Sequence, residues 1–136
     1  MKTKSILSDT DVSKILAAAK QCANDNKWAV TIAVCDDGGH LLGLLRLDDA
    51  APISAHIAPS KANTSALGRR ESKIYEEVIN NGRTAFLSAP DLHGMLEGGV
   101  PIIVDGQVIG AVGVSGVKSD EDVQIAKAGI AALGLN

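Results

Sequence analysis

The alternation of apolar and polar residues divides the first half of the chain into one helix and two strands. Apolar residues recur at helical spacing from Val12 to Ala23, and the hydroxyl of Ser8 opens a capping box with the acid three residues later. Side chains from Trp28 to Cys35 alternate between two faces, which predicts a strand. The turn Asp36-Asp37-Gly38-Gly39 then leads into a second, antiparallel strand from His40 to Leu47.

The second half combines helical spacing with one strong hairpin signal. A helical pattern runs from Pro52 to about Leu67, and Pro59 within it predicts either a kink or a helix that begins at that proline. Another helix is predicted over Glu71–Asn80, and a last helix opens with the acidic segment 119–122. Asp105-Gly106 lies between β-branched runs and predicts a hairpin, because both central residues of a type I′ turn need positive φ.

The second arm of this hairpin contains glycine and alanine between its valines. Because glycine weakens a strand, its use in the segment 110–116 indicates that a helix or a ligand approaches one face closely. The element order α, β, β, α, α, β, β, α predicts an α/β fold with an antiparallel sheet and helices packed on it. The glycines of GAVGVSG lie within a strand, so we do not interpret them as a dinucleotide-binding fingerprint.

Composition limits the classes of function. The 136 residues are most simply one domain spanning 1–136, and the net charge of −3 without a basic cluster argues against a nucleic-acid partner. No run of about 18 apolar residues exists to span a membrane, and the first residues do not read as a secretory signal, so we expect a cytoplasmic protein. Cys22 and Cys35 lie within predicted apolar elements and are expected to be free thiols.

The three histidines, His40, His56 and His93, are candidate ligands or ordinary surface residues. None of them occurs in a zinc-binding or haem-attachment motif. Arg46, Lys61 and Glu97 also have two interpretations. Their charges either extend to solvent over packed stems, or they surround one cleft with the Gly98-Gly99 turn, where the two cations would bind a carboxylate and Glu97 would act as an acid or base.

Three stretches of the chain together carry a family likeness. They read DGGHLL with RLDD, then SKANTSA, and finally GGVPI with GAVGVSG and Asp122. In this order they resemble the GlcG/HbpS-like family, which includes the C-terminal domain of PduO-type proteins. The resemblance implies a profilin-like α/β/α sandwich, with a central antiparallel sheet of about five strands, that assembles into homo-oligomers. Some members bind haem, and others occur beside glycolate, propanediol or glycerol metabolism.

The resemblance also assigns individual residues. His40 matches the turn histidine of the family, Lys61 and Thr64 match its Lys-Ala-x-Thr helix motif, and Gly98-Gly99 match its Gly-Gly turn. The chain departs from the family pattern at Pro59 and Asn63.

Three functional hypotheses follow. The first is a non-catalytic protein that binds a small molecule, with haem as the candidate cofactor, His40 or His56 as iron ligands, and Arg46 or Lys61 as partners of the haem propionates. The alternative is an enzyme or enzyme accessory for a small polar metabolite such as a hydroxy acid or diol. A third is a purely structural oligomer. Self-association is expected from the small-residue strand and the alanine-rich last helix.

Overall fold

One antiparallel sheet with helices on both of its faces forms the body of the protein. The computed structural model describes residues 1–135. The sheet has the strand order β2-β1-β4-β3, and every neighbouring pair is antiparallel. The elements in chain order are α1 (Asp9–Asp25), β1 (Thr31–Asp36), β2 (Leu41–Arg46), α2 (Ser54–Gly68), α3 (Lys73–Asn80), a 3-10 helix (Thr84–Ser88), β3 (Gly99–Val104), β4 (Gln107–Ser115) and α4 (Ser119–Ala131).

The sheet in the described residues has four strands, so the prediction of about five is wrong. The chain between α3 and β3 forms the 3-10 helix and then an irregular segment up to Gly98. Pro90 lacks the N–H that a ladder needs, and Asp91 has φ +62°. These residues therefore connect elements and do not extend the sheet.

The predicted hairpin is confirmed as β3 and β4. Asp105 and Gly106 have φ of +51° and +74°, as a type I′ turn requires, and Val104 pairs with Gln107 across them. The strong local signal of Asp-Gly between apolar runs is sufficient to identify this turn.

The two faces of β4 pack against different helices. Val112 and Val114 belong to the large aliphatic core with Ile15 of α1 and Ile125 of α4. On the opposite face, a Cβ atom added at Gly113 would lie only 2.1 Å from the carbonyl oxygen of Ala58 in α2. The small residues of β4 thus allow the backbone of α2 to approach, which confirms the predicted close contact and shows that this face is covered within the chain.

The predicted starts of α1 and α4 agree with the structure, but the residue that caps α4 lies one position before the predicted Ser119. Ser8 Oγ accepts the N–H of Asp11 at 3.1 Å, and the N–H of Ser8 donates to Asp11 Oδ2 at 2.9 Å. In α4 the cap is Lys118, whose N–H donates to Glu121 Oε1 at 3.2 Å. The acidic segment at 119–122 therefore lies inside the helix, where its charges also favour the helix N-terminus.

Helix α2 begins at Ser54 and continues through Pro59. This excludes the alternative in which the helix begins at the proline. The hydroxyl of Ser54 lies 2.7 Å from Thr31 Oγ1 of β1, so the first turn is attached to the sheet.

Two further features are the length of the helices relative to a membrane and the state of the two cysteines. None of the helices described within residues 1–135 is long and apolar enough to cross a membrane. Both cysteines are free, as predicted, with Cys35 buried and Cys22 partly buried. Burial raises the pKa of the Cys35 thiol to about 12.

Candidate functional site: a groove beside the turn histidine

The turn between β1 and β2 holds His40 through the carboxylate of Asp36. Asp36 Oδ1 accepts the backbone N–H groups of Gly38 and His40, each at 2.9 Å, and lies 3.1 Å from His40 Nδ1. Burial raises the pKa of Asp36, but the hydrogen bonds from the backbone of His40 and Gly38 and from the His40 ring together outweigh that effect and hold the pKa below its usual value. Because an ionised carboxylate only accepts hydrogen bonds, this contact favours the tautomer with its proton on Nδ1, which leaves Nε2 as the nitrogen that can bind a ligand.

The same turn is attached to α2 by the side chain of Asn63. Asn63 Nδ2 donates to the carbonyl oxygen of Gly39 at 3.2 Å. Gly39 has φ +80°, and a Cβ atom there would lie 2.4 Å from Asn63 Nδ2, so this position needs glycine for both its conformation and its contact. Arg69, just after α2, also donates to the carbonyl oxygen of Asp37. The position of the turn is therefore fixed relative to α2.

A surface depression of about 560 Å³ lies where this turn, α2 and the segment before β3 meet. We call it the histidine groove, because both His40 and His93 line it. Pro59 and Leu67 contribute apolar surface. The full lining comprises Gly38, Gly39, His40, Pro59, Ser60, Asn63, Leu67, Asp91 and His93.

His56, the second predicted iron ligand, is exposed on α2 and is not part of this lining. Its carbonyl oxygen accepts a hydrogen bond from Ser60 Oγ at 3.1 Å. Ser60 lines the groove, but His56, about one helical turn before it on α2, does not. The structure therefore brings His40 together with His93 rather than with His56.

Lys61 lies on the side of α2 that faces the protein interior, so it is buried and does not face the groove. Its side chain is 4% exposed, and Nζ donates to Asp122 Oδ2 at 3.1 Å and to the carbonyl oxygen of Val114 at 2.9 Å. Residues 61 and 63 of a helix lie about 200° apart around its axis, so Asn63 faces the turn while Lys61 faces the protein interior. The ammonium group thus joins α2 to the end of β4 and to the first turn of α4.

Burial raises the pKa of Asp122 to about 6, although the attraction of Lys61 opposes this shift. The second carboxylate oxygen of Asp122 accepts the N–H of Val117 at 3.3 Å. A buried carboxylate that is ion-paired and hydrogen-bonded in this way contributes to the packing of elements from both faces of the sheet.

The Gly98-Gly99 turn and Thr64 pack around Lys61. A Cβ atom added at Gly98 would lie 2.6 Å from Lys61 Nζ, and one added at Gly99 would lie 2.2 Å from the Lys61 carbonyl oxygen. Thr64 Oγ1 accepts the N–H of Gly94 at 3.2 Å. These four predicted site residues lie together and hold the segment before β3 against α2.

Arg46 lies at the opposite end of β2 from His40. Its Nε and Nη2 donate to the carbonyl oxygen of Ala50 at 3.2 and 2.9 Å. It lines a different depression, which includes Lys20, Lys27 and Trp28. Lys61 does not line that depression, because its ammonium group is buried against Asp122, so the expectation of one cleft containing Arg46 and Lys61 does not agree with the placement of these residues.

Glu97 is half-buried beside Gly98 and belongs to the lining of neither depression. Within residues 1–135, no group of three or more His, Cys, Asp and Glu side chains is placed to bind a bare metal ion. A haem iron needs only one or two imidazoles from the protein. The donor set of the groove therefore fits a haem better than a bare metal ion.

Sequence reasoning does not assign roles to Asp36, Asn63 and Asp122. Asp36 precedes His40 by four residues across a Gly-Gly turn. This spacing could have predicted the contact between them, because Asp side chains accept hydrogen bonds from the residues that follow them in a turn. Asn63 stands out only as a departure from a family pattern. The sequence indicates only that Asp122 belongs to the acidic start of a helix. Nothing near it in the sequence predicts its pairing with Lys61, which lies 61 residues earlier.

Comparisons with known proteins agree with this architecture. The family model described as haem degrading protein HbpS-like matches residues 7–131. The chain is 64% identical over 115 residues to protein GlcG of Escherichia coli strain K12, covering 85% of each chain.

Two solved structures are similar over nearly the whole chain. A double mutant of HbpS from Streptomyces reticuli superposes with a TM-score of 0.88 at 30% identity, covering 98% of this chain and 91% of that chain. The PduOC:heme complex superposes with a TM-score of 0.89 at 26% identity, covering 97% and 98%.

Proposed function

The chain belongs to the HbpS-like family, and we propose that it binds haem or a closely related tetrapyrrole in the histidine groove. The observation that carries this proposal is that two histidines, His40 and His93, line one depression together with the apolar residues Pro59 and Leu67. A solved relative in complex with heme supports the choice of ligand. Bound haem would supply an iron that imidazole nitrogens could ligate.

The residues of the groove have separable roles in this proposal. His40 would hold the iron through Nε2, because its Nδ1 is already bonded to Asp36. His93 is the second candidate ligand. Pro59 and Leu67 contact the apolar macrocycle, which gains free energy from leaving water. The proposal is one of binding and includes no catalytic step.

The haem propionates have no assigned cationic partner in this site. Among residues 1–135, neither lysine nor arginine belongs to the groove lining. Lys61 is buried against Asp122, and Arg46 lies at the far end of the strand. The expectation that either residue pairs a propionate is therefore not part of the proposal.

A titration with haemin tests the proposal through the Soret band. Wild type is expected to bind saturably with one haem per chain, and His40→Ala is expected to weaken binding, with a smaller or similar loss for His93→Ala. His56→Ala is the matched control, because this histidine lies on α2 but outside the groove. Unsaturable partition of haemin, or an equal effect of His56→Ala and His40→Ala, would refute the proposal.

A further inference from the structure

We propose that Asp36 positions His40 for iron, by fixing its tautomer and ring orientation so that Nε2 is the available ligand atom. This inference rests on the proposed function, because it concerns the same groove. It adds a residue that does not line the groove. Asp36 acts only through the imidazole, so we describe it as a positioning residue.

The first step of the argument is that Asp36 is itself held in place. Two backbone N–H groups, those of Gly38 and His40, donate to its Oδ1 at 2.9 Å. A carboxylate that accepts two backbone donors within one tight turn has little freedom to rotate. The third donor to the same oxygen is His40 Nδ1 at 3.1 Å. The imidazole is therefore bound to a fixed acceptor.

The second step is that the ring has few other restraints. The His40 side chain is 81% exposed, so the surrounding protein does not determine its orientation. Gly38 is the exception, because a Cβ atom there would lie 2.8 Å from His40 Cε1 and 3.1 Å from Nδ1. The absence of a side chain at Gly38 leaves the space in which the ring can reach Asp36.

The third step concerns the chemistry of the nitrogen that remains. A histidine that ligates a metal usually donates its other ring N–H to a carboxylate or carbonyl, which fixes the tautomer and makes the ligating nitrogen more basic. Asp36 supplies such a carboxylate before any ligand is bound. Its negative charge also favours ferric over ferrous iron, because the ferric ion carries the additional positive charge.

The test compares Asp36→Asn with Asp37→Asn in the full chain, using haemin as the probe. The amide oxygen introduced by Asp36→Asn can still accept the backbone N–H groups, so the turn is expected to fold. Asp37→Asn removes the same charge from the same turn, but the Asp37 carboxylate pairs with Lys4 rather than with the imidazole. Thermal unfolding without haemin checks that both variants are folded.

Asp36→Asn is expected to weaken ferric haem binding by roughly 10- to 100-fold, the usual effect of removing such an outer partner. The reduction potential of the bound haem is also expected to become more positive in Asp36→Asn and to change little in Asp37→Asn. A merely structural role for Asp36 would not shift the potential of a variant that remains folded and loaded.

The outcomes separate this inference from the proposed function. If His40→Ala weakens binding but Asp36→Asn behaves as Asp37→Asn in both affinity and potential, the positioning role is refuted and haem binding stands. If wild type and His40→Ala bind haemin equally, the proposed function fails, and the inference fails with it. A loss of affinity together with a positive shift in potential, specific to Asp36→Asn, supports both.

Discussion

The buried pair of Lys61 and Asp122 gives the sharpest test of how this fold is held together. Lys61→Met removes the ammonium group but keeps an unbranched side chain of similar length. The variant leaves the carboxylate of Asp122, which is 3% exposed, without its cationic partner. Removing one partner of a buried ion pair costs about 3–5 kcal/mol of stability, because the remaining charge is not compensated. At about 3 °C per kcal/mol for a chain of this size, the melting temperature is expected to fall on the order of 10–15 °C.

The loss of stability in Lys61→Met is also expected to depend on pH. Burial raises the pKa of Asp122 to about 6 in the wild type, from 3.8 for an unperturbed aspartate, against the opposing effect of Lys61. Without Lys61 the pKa rises further. A group whose pKa is raised in the folded state stabilises that state below its unfolded pKa, and this contribution is lost as the pH rises through the folded value. The deficit of Lys61→Met relative to wild type is therefore expected to be larger at pH 8 than at pH 5.

Urea unfolding followed by circular dichroism measures these differences. In the double variant Lys61→Met with Asp122→Asn, part of the loss is expected to be recovered, because no buried charge remains and the amide oxygen can still accept from Val117. Lys73→Met is the control, since Lys73 forms an exposed pair with Glu77 worth at most about 0.5 kcal/mol. A loss below about 1 kcal/mol at pH 8, or an equal deficit at both pH values, would refute the assignment of this pair as a structural clamp.

Further predictions concern the sheet, the thiols and self-association. Gly113→Ala is expected to cost more stability in urea than Gly106→Ala, because a Cβ atom would meet the backbone of α2 at position 113 but open space at 106; the reverse order would contradict the packing described. Ellman's reagent at pH 8 is expected to label Cys22 well before Cys35, whose thiol is buried, and equal rates would contradict this. Light scattering at micromolar concentration is expected to detect self-association, and Leu44→Lys, on an exposed leucine of the edge strand β2, is expected to reduce it; a monomer mass for wild type would refute this prediction.

The elements that are predictable from the sequence are those with local signals. The Asp105-Gly106 turn and the capping box at Ser8 depend on residues within a few positions of each other, and the structure has both. Small residues in β4 correctly indicate a close approach. What the sequence does not reveal is that α2 makes this approach, because that contact joins Gly113 to a helix about 50 residues earlier.

The site is predictable only in part, for reasons of geometry. His40 can be identified because it follows a conspicuous turn, and Asp36 lies within the same turn. Arg46 is only six residues from His40 in the sequence, but β2 places the two at opposite ends of the strand. The sequence also does not show that Lys61 is buried against Asp122 and so cannot share a cleft with Arg46. His93 reaches the groove through an irregular segment that has no periodicity to interpret.

Helix α2 connects the buried pair to the groove, and this affects how variants of either should be interpreted. Asn63 and Pro59 lie on its outer side in the groove, while Lys61 on its inner side is bonded to Asp122. A variant of Lys61 is thus expected to displace the groove wall without touching a ligand. Loss of haem binding in Lys61→Met would by itself say nothing about a direct contact. If binding is lost through α2, recovery of stability in the double variant with Asp122→Asn should restore it in parallel, whereas a direct ligand role for Lys61 would leave binding impaired.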